Sequence, residues 1–297
     1  MKIETAVVLL GGLGSRFLPL SKTIPKEMWP LGDLPIIHYI LEEIKLAGIK
    51  HIVFVGGSDN QLVLDYLSPR SSLVNVLTER GKKDLLSELD KIDDLYKFFK
   101  IDWLVQDKPV GNGDALLRVF DEKLLSNKEP IACLFADDVV EADKPCLAQL
   151  LESFDKYQET ILALSRVPRS KLSAYGVVAT EVVESKIHKI KSFVEKPKIG
   201  TEPSDLAVVG KYILMPDVIS ILSNIDKGVN GELNLADGLS RAVTNNLPIY
   251  GLEFEGRWLE CGTKEDWLKS LLYLSLKDER YGDKIHRWYQ EFNQDFS

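Results

Sequence analysis

Residues 5–17 read TAVVLLGGLGSRF, an apolar and β-branched run that leads directly into a glycine-rich turn. The run at 5–10 is typical of a buried strand, and HIVFVGG at 51–57 predicts another. Between them, residues 35–47 repeat apolar side chains at helical spacing. The residues on that helical face are Ile37, Ile40, Leu41 and Ile44. Strand, glycine loop, helix and strand make a βαβ unit, whose crossover is expected to be right-handed.

The rest of the chain continues this α/β pattern. Apolar runs predict strands at 101–106, 130–135 and 160–167, and a last strand at 248–254, with helical segments between them. Strand signals crowd together between 174 and 214, which favours an antiparallel patch on a mostly parallel sheet. We therefore expect one α/β domain at 1–263 and an aromatic-rich helical tail at 264–297 that serves in packing or in contacts between copies.

Composition narrows the class of protein. The chain has 297 residues and a net charge of −8, whereas a nucleic-acid binder usually carries a basic surplus. Its three cysteines lack metal-ligand spacing, and an odd, sparse count is typical of a reducing compartment without a disulfide framework. No stretch of 18 apolar residues occurs in the sequence. We expect a cytoplasmic protein that binds neither nucleic acid nor membrane.

The sequence of the glycine loop does not match two well-known phosphate-binding motifs. Gly12 and Gly14 begin a dinucleotide fingerprint, but Phe17 occupies the position of its third glycine. A P-loop would need glycine where Arg16 stands. The loop is instead followed by two cations, Arg16 and Lys26, which suit a triphosphate. A structural turn with surface cations is the alternative.

Two further segments carry charged side chains where ligands commonly bind. FADDVV (135–140) places Asp137 and Asp138 after a buried strand, where an aspartate can bind Mg²⁺ or can simply end the strand in a turn. Neighbouring strand residues face opposite sides, so we expect one of the two to reach the metal. FVEKP (193–197) offers Glu195 for sugar hydroxyls and Lys196 for a phosphate, provided that the strand ends there; otherwise the pair is an exposed edge.

These motifs together resemble the bacterial UTP–glucose-1-phosphate uridylyltransferases, which are sugar-nucleotide nucleotidyltransferases. The resemblance covers residues 3–275 and runs in the family's order. The matching segments are GGLGSRFLPLSKTIPKEMWPLGDLPIIHYILEE, LTERGKKDLLSELDKI, VQDKPVGNGDALL, FADDVV, AYGVV, FVEKPK, LAVVGKYIL and GELNLADGL. It implies a Rossmann-like nucleotidyltransferase fold in which a mixed, mostly parallel sheet is flanked by helices, with a small β-rich sugar-binding region.

The resemblance also implies a role for each matched residue. The uracil would contact Gly11, Gly12 and Gln106, with Gly14 and Gly111 beside the nucleotide, and the triphosphate would lie along Arg16 and Lys26. Glucose 1-phosphate would lie against Gly176, Glu195 and Lys196. Mg²⁺ would bind Asp137, with Glu260 as a second ligand. The implied substrates are UTP and glucose 1-phosphate, and the implied assembly is a homodimer or homotetramer.

The chain departs from the family at several places. Asp114 stands where the family has His, Glu260 replaces an Asp, and Ala136 replaces a Pro before the metal aspartate. These changes keep two alternatives open: another nucleotide or hexose 1-phosphate, such as dTTP or galactose 1-phosphate, and a catalytically silent regulatory paralogue. Arg16, Lys26 and Asp137 are all present, which favours an active enzyme.

Overall fold

The computed structural model of the chain describes residues 1–12, 14–57, 60–126, 128–227 and 231–295. Its helices are α1 (Ile36–Leu46), α2 (Gln61–Leu67), α3 (Ser71–Glu79), α4 (Lys83–Phe98), α5 (Asn112–Asp121), α6 (Cys146–Tyr157), α7 (Pro216–Ser223), α8 (Leu235–Thr244), α9 (Lys264–Lys277) and α10 (Gly282–Asp295). Its strands are β1 (Thr5–Leu10), β2 (Pro30–Leu31), β3 (Leu34–Pro35), β4 (His51–Gly56), β5 (Lys100–Val105), β6 (Ile131–Phe135), β7 (Asp138–Glu141), β8 (Thr160–Arg166), β9 (Gly176–Glu184), β10 (Ile187–Glu195), β11 (Leu206–Leu214), β12 (Ile249–Glu253) and β13 (Arg257–Glu260).

A nine-stranded sheet forms the centre of the fold, in the order β5-β4-β1-β6-β11-β8-β12-β10-β9. Strands β10 and β11 run opposite to the others, so the sheet is mixed but mostly parallel, as predicted. The crowded strand signals between 174 and 214 correspond to β9, β10 and β11. Two short ribbons, β13-β7 and β2-β3, lie apart from the main sheet.

Strand β1 shows why the first segment decides the fold. Ala6, Val8 and Leu10 face one side and pack in the same core as the apolar face of α1. Val7 and Leu9 face the other side, in the core that contains α5. Both faces of a parallel strand are covered by helices, so a continuous apolar run is required rather than an alternating one. The predicted βαβ unit is confirmed.

The register of the parallel strands aligns their carboxyl ends. Leu10 pairs with Gly56, Gly56 with Val105, and Leu9 with Phe135. The loops that follow β1, β5 and β6 therefore leave the sheet at one edge, and they carry the glycine turn, Gln106 and Asp137. Ligands of open α/β sheets bind at this edge.

The end of the chain differs from the prediction in one respect. Residues 248–254 contain strand β12, but it is not the last strand, because β13 follows and pairs with β7. Helices α9 and α10 form the predicted tail. Helix α9 packs on the preceding fold: Trp267 Nε1 donates to the Pro30 carbonyl at 2.9 Å, and Tyr273 donates to Glu141 at 2.8 Å. In the part of the chain that the structure describes, every helix is too short or too polar to cross a membrane.

Candidate active site

The glycine turn after β1 opens onto free space. Gly12 and Gly14 have φ angles of +85° and +57°, a region that side chains disfavour. A Cβ on Gly11 or Gly12 would meet no atom within 4 Å, so a ligand can approach this backbone closely. Phe17 is buried against Trp29, with ring centroids 4.6 Å apart, and it anchors the turn from below.

The predicted nucleotide residues line one cavity of about 390 Å³ at the carboxyl edge of the sheet. Its predicted members are Gly11, Gly12, Lys26, Gln106, Gly111 and Asp137. Gly14 lines an adjoining cavity of about 170 Å³, which shares Gly12, Lys26 and Gln106 with the first. Arg16 lies on the exposed side of the turn, and its guanidinium has no ion-pair partner among the described residues. The sequence therefore identified most of the residues that meet here.

Lys26 and Asp137 are in direct contact. Lys26 Nζ lies 2.5 Å from Asp137 Oδ2, and both side chains are largely buried. Burial alone would lower the pKa of Lys26, but Asp137 and Glu27 outweigh it, so the pKa is raised and Lys26 stays cationic. Burial raises the pKa of the neighbouring Glu27 to about 7, although Lys26 opposes that shift. Lys26 is thus a cation beside two carboxyl groups, those of Asp137 and Glu27.

Asp138 faces away from Asp137 and is held by hydrogen bonds to other strands of the fold. Its Oδ2 accepts from the Gly210 N–H at 3.0 Å, and its Oδ1 accepts from Trp258 Nε1 at 2.8 Å. Burial raises the pKa of Asp138 to about 7, and the nearby charges of Asp137 and Glu260 add to the shift. Asp138 joins β11 and β13, which leaves Asp137 as the aspartate at the cavity.

Glu260 comes to Asp137 through the β13-β7 ribbon. It pairs with Asp138 across the ribbon, and the Cys261 N–H donates to the Asp137 carbonyl at 3.0 Å. A Cβ built on Gly262 would lie 3.7 Å from both Asp137 Oδ2 and Glu260 Oε1, so the two carboxylates border the same space. The Tyr175 hydroxyl donates to Glu260. Burial raises the pKa of Glu260, and Asp137 contributes to this.

This carboxylate pair matches what Mg²⁺ prefers. Mg²⁺ is usually held by one or two carboxylates together with phosphate oxygens and water. Among the described residues no cluster of three or more metal-ligating side chains is found. Asp137 and Glu260 could hold such a cation together with a phosphate-bearing substrate.

The predicted sugar-phosphate residues form a second group. Strand β10 ends at Glu195, and Lys196 turns into the left-handed region with φ +46°, so the strand end that a shared role requires is present. Lys196 Nζ lies 3.4 Å from Glu195 Oε1, and both side chains are about half exposed. A Cβ on Gly176 would lie 2.6 Å from the Phe193 ring and 3.1 Å from Glu195 Oε2, so glycine is needed for these two side chains to pack here.

Tyr175 links this group to the metal-type carboxylates. Its hydroxyl donates to Glu260, and its carbonyl accepts from the Lys196 N–H at 2.9 Å. The Glu195–Lys196 group is therefore joined through one residue to the carboxylates beside the cavity.

Sequence reasoning missed several residues of the candidate site. Glu27 follows Lys26 directly, and Tyr175 precedes Gly176, so both lay inside segments that had been singled out. Glu232 lines the larger cavity from the segment before α8. Its position could not be read locally, because it depends on the Leu233 N–H donating to the Val110 carbonyl at 2.8 Å.

The sequence of the chain is similar to those of known proteins. The sequence model of the nucleotidyl transferase family matches residues 5–275. A UTP–glucose-1-phosphate uridylyltransferase of Staphylococcus haemolyticus is 34% identical over 290 residues and 98% of each chain. One from Staphylococcus epidermidis is 33% identical over 292 residues, which cover 98% of this chain and 99% of that protein.

Two solved structures have a similar fold. A UDP-glucose pyrophosphorylase complexed with UDP-glucose superposes with a TM-score of 0.82 at 33% identity, covering 93% of this chain and 100% of that one. A UTP-bound UGPase from Acinetobacter baumannii superposes with a TM-score of 0.86 at 28% identity, covering 98% and 99%.

Proposed function

The chain belongs to the nucleotidyl transferase family and, within it, to the UTP–glucose-1-phosphate uridylyltransferases, and we propose that it catalyses the reaction of these enzymes. The enzyme transfers UMP from UTP to glucose 1-phosphate and gives UDP-glucose and pyrophosphate. The observation that carries the proposal is the meeting of Lys26, Gln106 and Asp137 at one cavity beside an open glycine turn. Glycine backbone, a cation and a carboxylate are the groups that a nucleoside triphosphate needs.

The site residues are assigned by this reaction. The nucleotide binds at Gly11, Gly12, Gly14, Gln106 and Gly111, with its triphosphate along Arg16 and Lys26. Glucose 1-phosphate binds at Gly176, Glu195 and Lys196, where the carboxylate accepts from sugar hydroxyls and the ammonium neutralises the phosphate. The contacts of Tyr175 with both Lys196 and Glu260 support placing the two substrates end to end.

The chemistry needs positioning more than proton transfer. A phosphate oxygen of glucose 1-phosphate attacks the α-phosphorus of UTP, and the bond from that phosphorus to the pyrophosphate oxygen breaks. The attacking oxygen is already anionic, so no general base is required. Lys26, Arg16 and Lys196 oppose the repulsion between the two anions and stabilise the departing pyrophosphate.

We further propose Mg²⁺ as the cofactor, held by Asp137 and Glu260. When bound, the ion supplies positive charge to the phosphate oxygens. The chain prepares both ligands: Lys26 balances the charge of Asp137, and Tyr175 orients Glu260 by its hydrogen bond. Glu260 is one methylene longer than the aspartate typical of the family, and the Tyr175 contact restrains this longer side chain.

For the chain as a whole we propose a catalytic domain at 1–263 and an accessory tail at 264–297. Helix α9 of the tail packs on the catalytic domain, whereas α10 exposes Trp288, Tyr289 and Phe292. Exposed aromatic side chains of this size favour a contact with a second copy of the chain. Light scattering of the full chain and of a Trp288→Ser, Phe292→Ser variant tests this: a homodimer or homotetramer is expected, and it should weaken in the variant.

The function itself is tested by pyrophosphate release over a matrix of nucleotides and sugar 1-phosphates with Mg²⁺. Release is expected when UTP and glucose 1-phosphate are both present, with lower efficiency for dTTP or galactose 1-phosphate. A preference for a non-uridine nucleotide would replace the proposed substrate, and absence of turnover with every pair would indicate a silent regulatory protein.

The role of Asp137 is tested in the same assay. Asp137→Ala should remove most turnover without unfolding the protein, because Glu27 still neighbours Lys26. Asp155→Ala, on the exposed side of α6, is the matched control and should behave as wild type. Near-normal activity of Asp137→Ala with Mg²⁺ would contradict the assignment.

A further inference from the structure

We propose that Asp114, at the start of α5, is a positioning residue that fixes the side-chain amide of Gln106 and so selects the base. The inference rests on the proposed function, because it concerns the nucleotide that enters the cavity.

The contacts define which end of the amide faces inward. Gln106 Nε2 donates to Asp114 Oδ2 at 3.0 Å and to the Gly111 carbonyl at 3.2 Å. A carboxylate and a carbonyl can only accept, so the NH₂ group must face them and the opposite flip is excluded. The Gln106 backbone is also held, because its N–H donates to the Gly56 carbonyl at 2.8 Å.

The remaining polar atom of the side chain is Oε1. Among the described residues no donor reaches it, and it is not one of the buried polar atoms without a partner. It is therefore open to solvent, and Gln106 borders both cavities of the site. The cavity receives from Gln106 an acceptor and not a donor.

An acceptor at this place discriminates between pyrimidines. The ring N3–H of uracil or thymine is a donor and can bond to Oε1. Cytosine has a lone pair at N3, which would face the Oε1 lone pairs and leave both groups unpaired. The device favours UTP and dTTP over CTP and does not separate uracil from thymine.

Two cations also lie beside Asp114. Lys227 Nζ lies 3.4 Å from Oδ1, and Arg118 Nε lies 3.5 Å from Oδ2. Asp114 also lies in the first turn of α5, where a carboxylate stabilises a helix. A test must therefore separate positioning of Gln106 from stabilisation of the helix.

The test compares kcat/KM for UTP, dTTP and CTP, with glucose 1-phosphate, in wild type, Asp114→Ala, Asp114→Asn and Lys227→Ala. With the carboxylate removed, the Gln106 amide can turn over and offer its NH₂ to cytosine. Asp114→Ala should lower the UTP-to-CTP ratio by about 10- to 100-fold, since an unpaired polar group costs about 1–3 kcal/mol. The KM for glucose 1-phosphate should not change.

The other variants separate the two roles. Asp114→Asn keeps an oxygen for Gln106 Nε2 but loses the charge, so its ratio should stay near that of wild type. Lys227→Ala removes only an exposed partner of Asp114 and is the control, with a ratio within about 2-fold. Calorimetric affinities for UTP and CTP, measured alongside, keep the test valid if Asp114→Ala is unstable at assay temperature.

Two results would overturn the proposal. One is an Asp114→Ala ratio equal to wild type, with both nucleotides used equally less well. The other is an Asp114→Asn ratio as low as that of Asp114→Ala, which would indicate that charge at the helix start is what matters. Failure of the proposed function would look different, because wild type itself would then not use UTP.

Discussion

The ion pair between Glu43 of α1 and Lys211 of β11 gives the sharpest prediction about the fold. Lys211 is fully buried, Glu43 is 6% exposed, and Nζ lies 2.6 Å from Oε2. The other oxygen of Glu43 accepts from the Leu147 N–H at 2.8 Å, at the start of α6. The pair therefore ties α1, α6 and β11 together beneath the site.

Breaking one side of this pair should be costly. Lys211→Met conserves the apolar stem but leaves a buried carboxylate with a single hydrogen bond, so we expect a loss of about 3–5 kcal/mol of unfolding free energy. Glu43→Leu leaves a buried ammonium and should cost a similar amount. In the double variant both charges are gone and the unpaired Leu147 N–H remains, which costs about 1–3 kcal/mol.

The loss of unfolding free energy in the double variant should thus be smaller than the sum of the two single losses by at least about 2 kcal/mol. Urea unfolding of the four proteins measures this coupling. The exposed pair Lys156–Glu184 is the control, and Lys156→Met should leave the urea midpoint nearly unchanged. Additive losses in the Glu43–Lys211 cycle would refute the reasoning that the two charges compensate each other.

Three further changes follow from the site. Lys196→Ala should raise the KM for glucose 1-phosphate by about 10-fold or more while the KM for UTP stays near wild type; equal effects on both substrates would argue against its placement. Burial raises the pKa of Glu27 in the folded protein to about 7 against an ordinary 4.5. The unfolding free energy of wild type should therefore fall by up to about 3 kcal/mol relative to that of Glu27→Gln as pH rises from about 5 to 8. Parallel urea midpoints of the two proteins across that range would contradict this. Gly111→Ala puts a Cβ 2.1 Å from the Leu233 carbonyl at φ +107° and should cost about 1–3 kcal/mol and weaken UTP binding; an unchanged melting temperature would show that the loop yields.

Local pattern accounts for much of the fold because the βαβ core is built from contiguous signals. The apolar spacing of α1 and the continuous apolar run of β1 sufficed, because α1 buries one periodic face and β1 buries both of its faces. Strand β13 was not predicted from the sequence, because its four residues become a strand only by pairing with β7. For the same reason β12 was predicted to be the last strand, although β13 follows it.

The site divides in a similar way. The sequence predicted that one of Asp137 and Asp138 reaches the ligand. Asp137 lines the cavity from the turn before β7, whereas Asp138 is bonded to Gly210 and Trp258. The turn at Lys196 was stated as a condition and is present. The contact between Gln106 and Asp114 could not be read from the sequence, because it depends on the backbone at Gly111, whose φ of +107° turns the loop back onto the end of β5.

In the proposed reaction the glycine turn presents the α-phosphorus of UTP to the phosphate of glucose 1-phosphate. This can be measured with UTP labelled at the α-phosphorus, in the presence of glucose 1-phosphate and Mg²⁺, by following where the label goes. We expect all transferred label to appear in UDP-glucose and none in pyrophosphate. Label in pyrophosphate or inorganic phosphate, or UMP formed without glucose 1-phosphate, would contradict it.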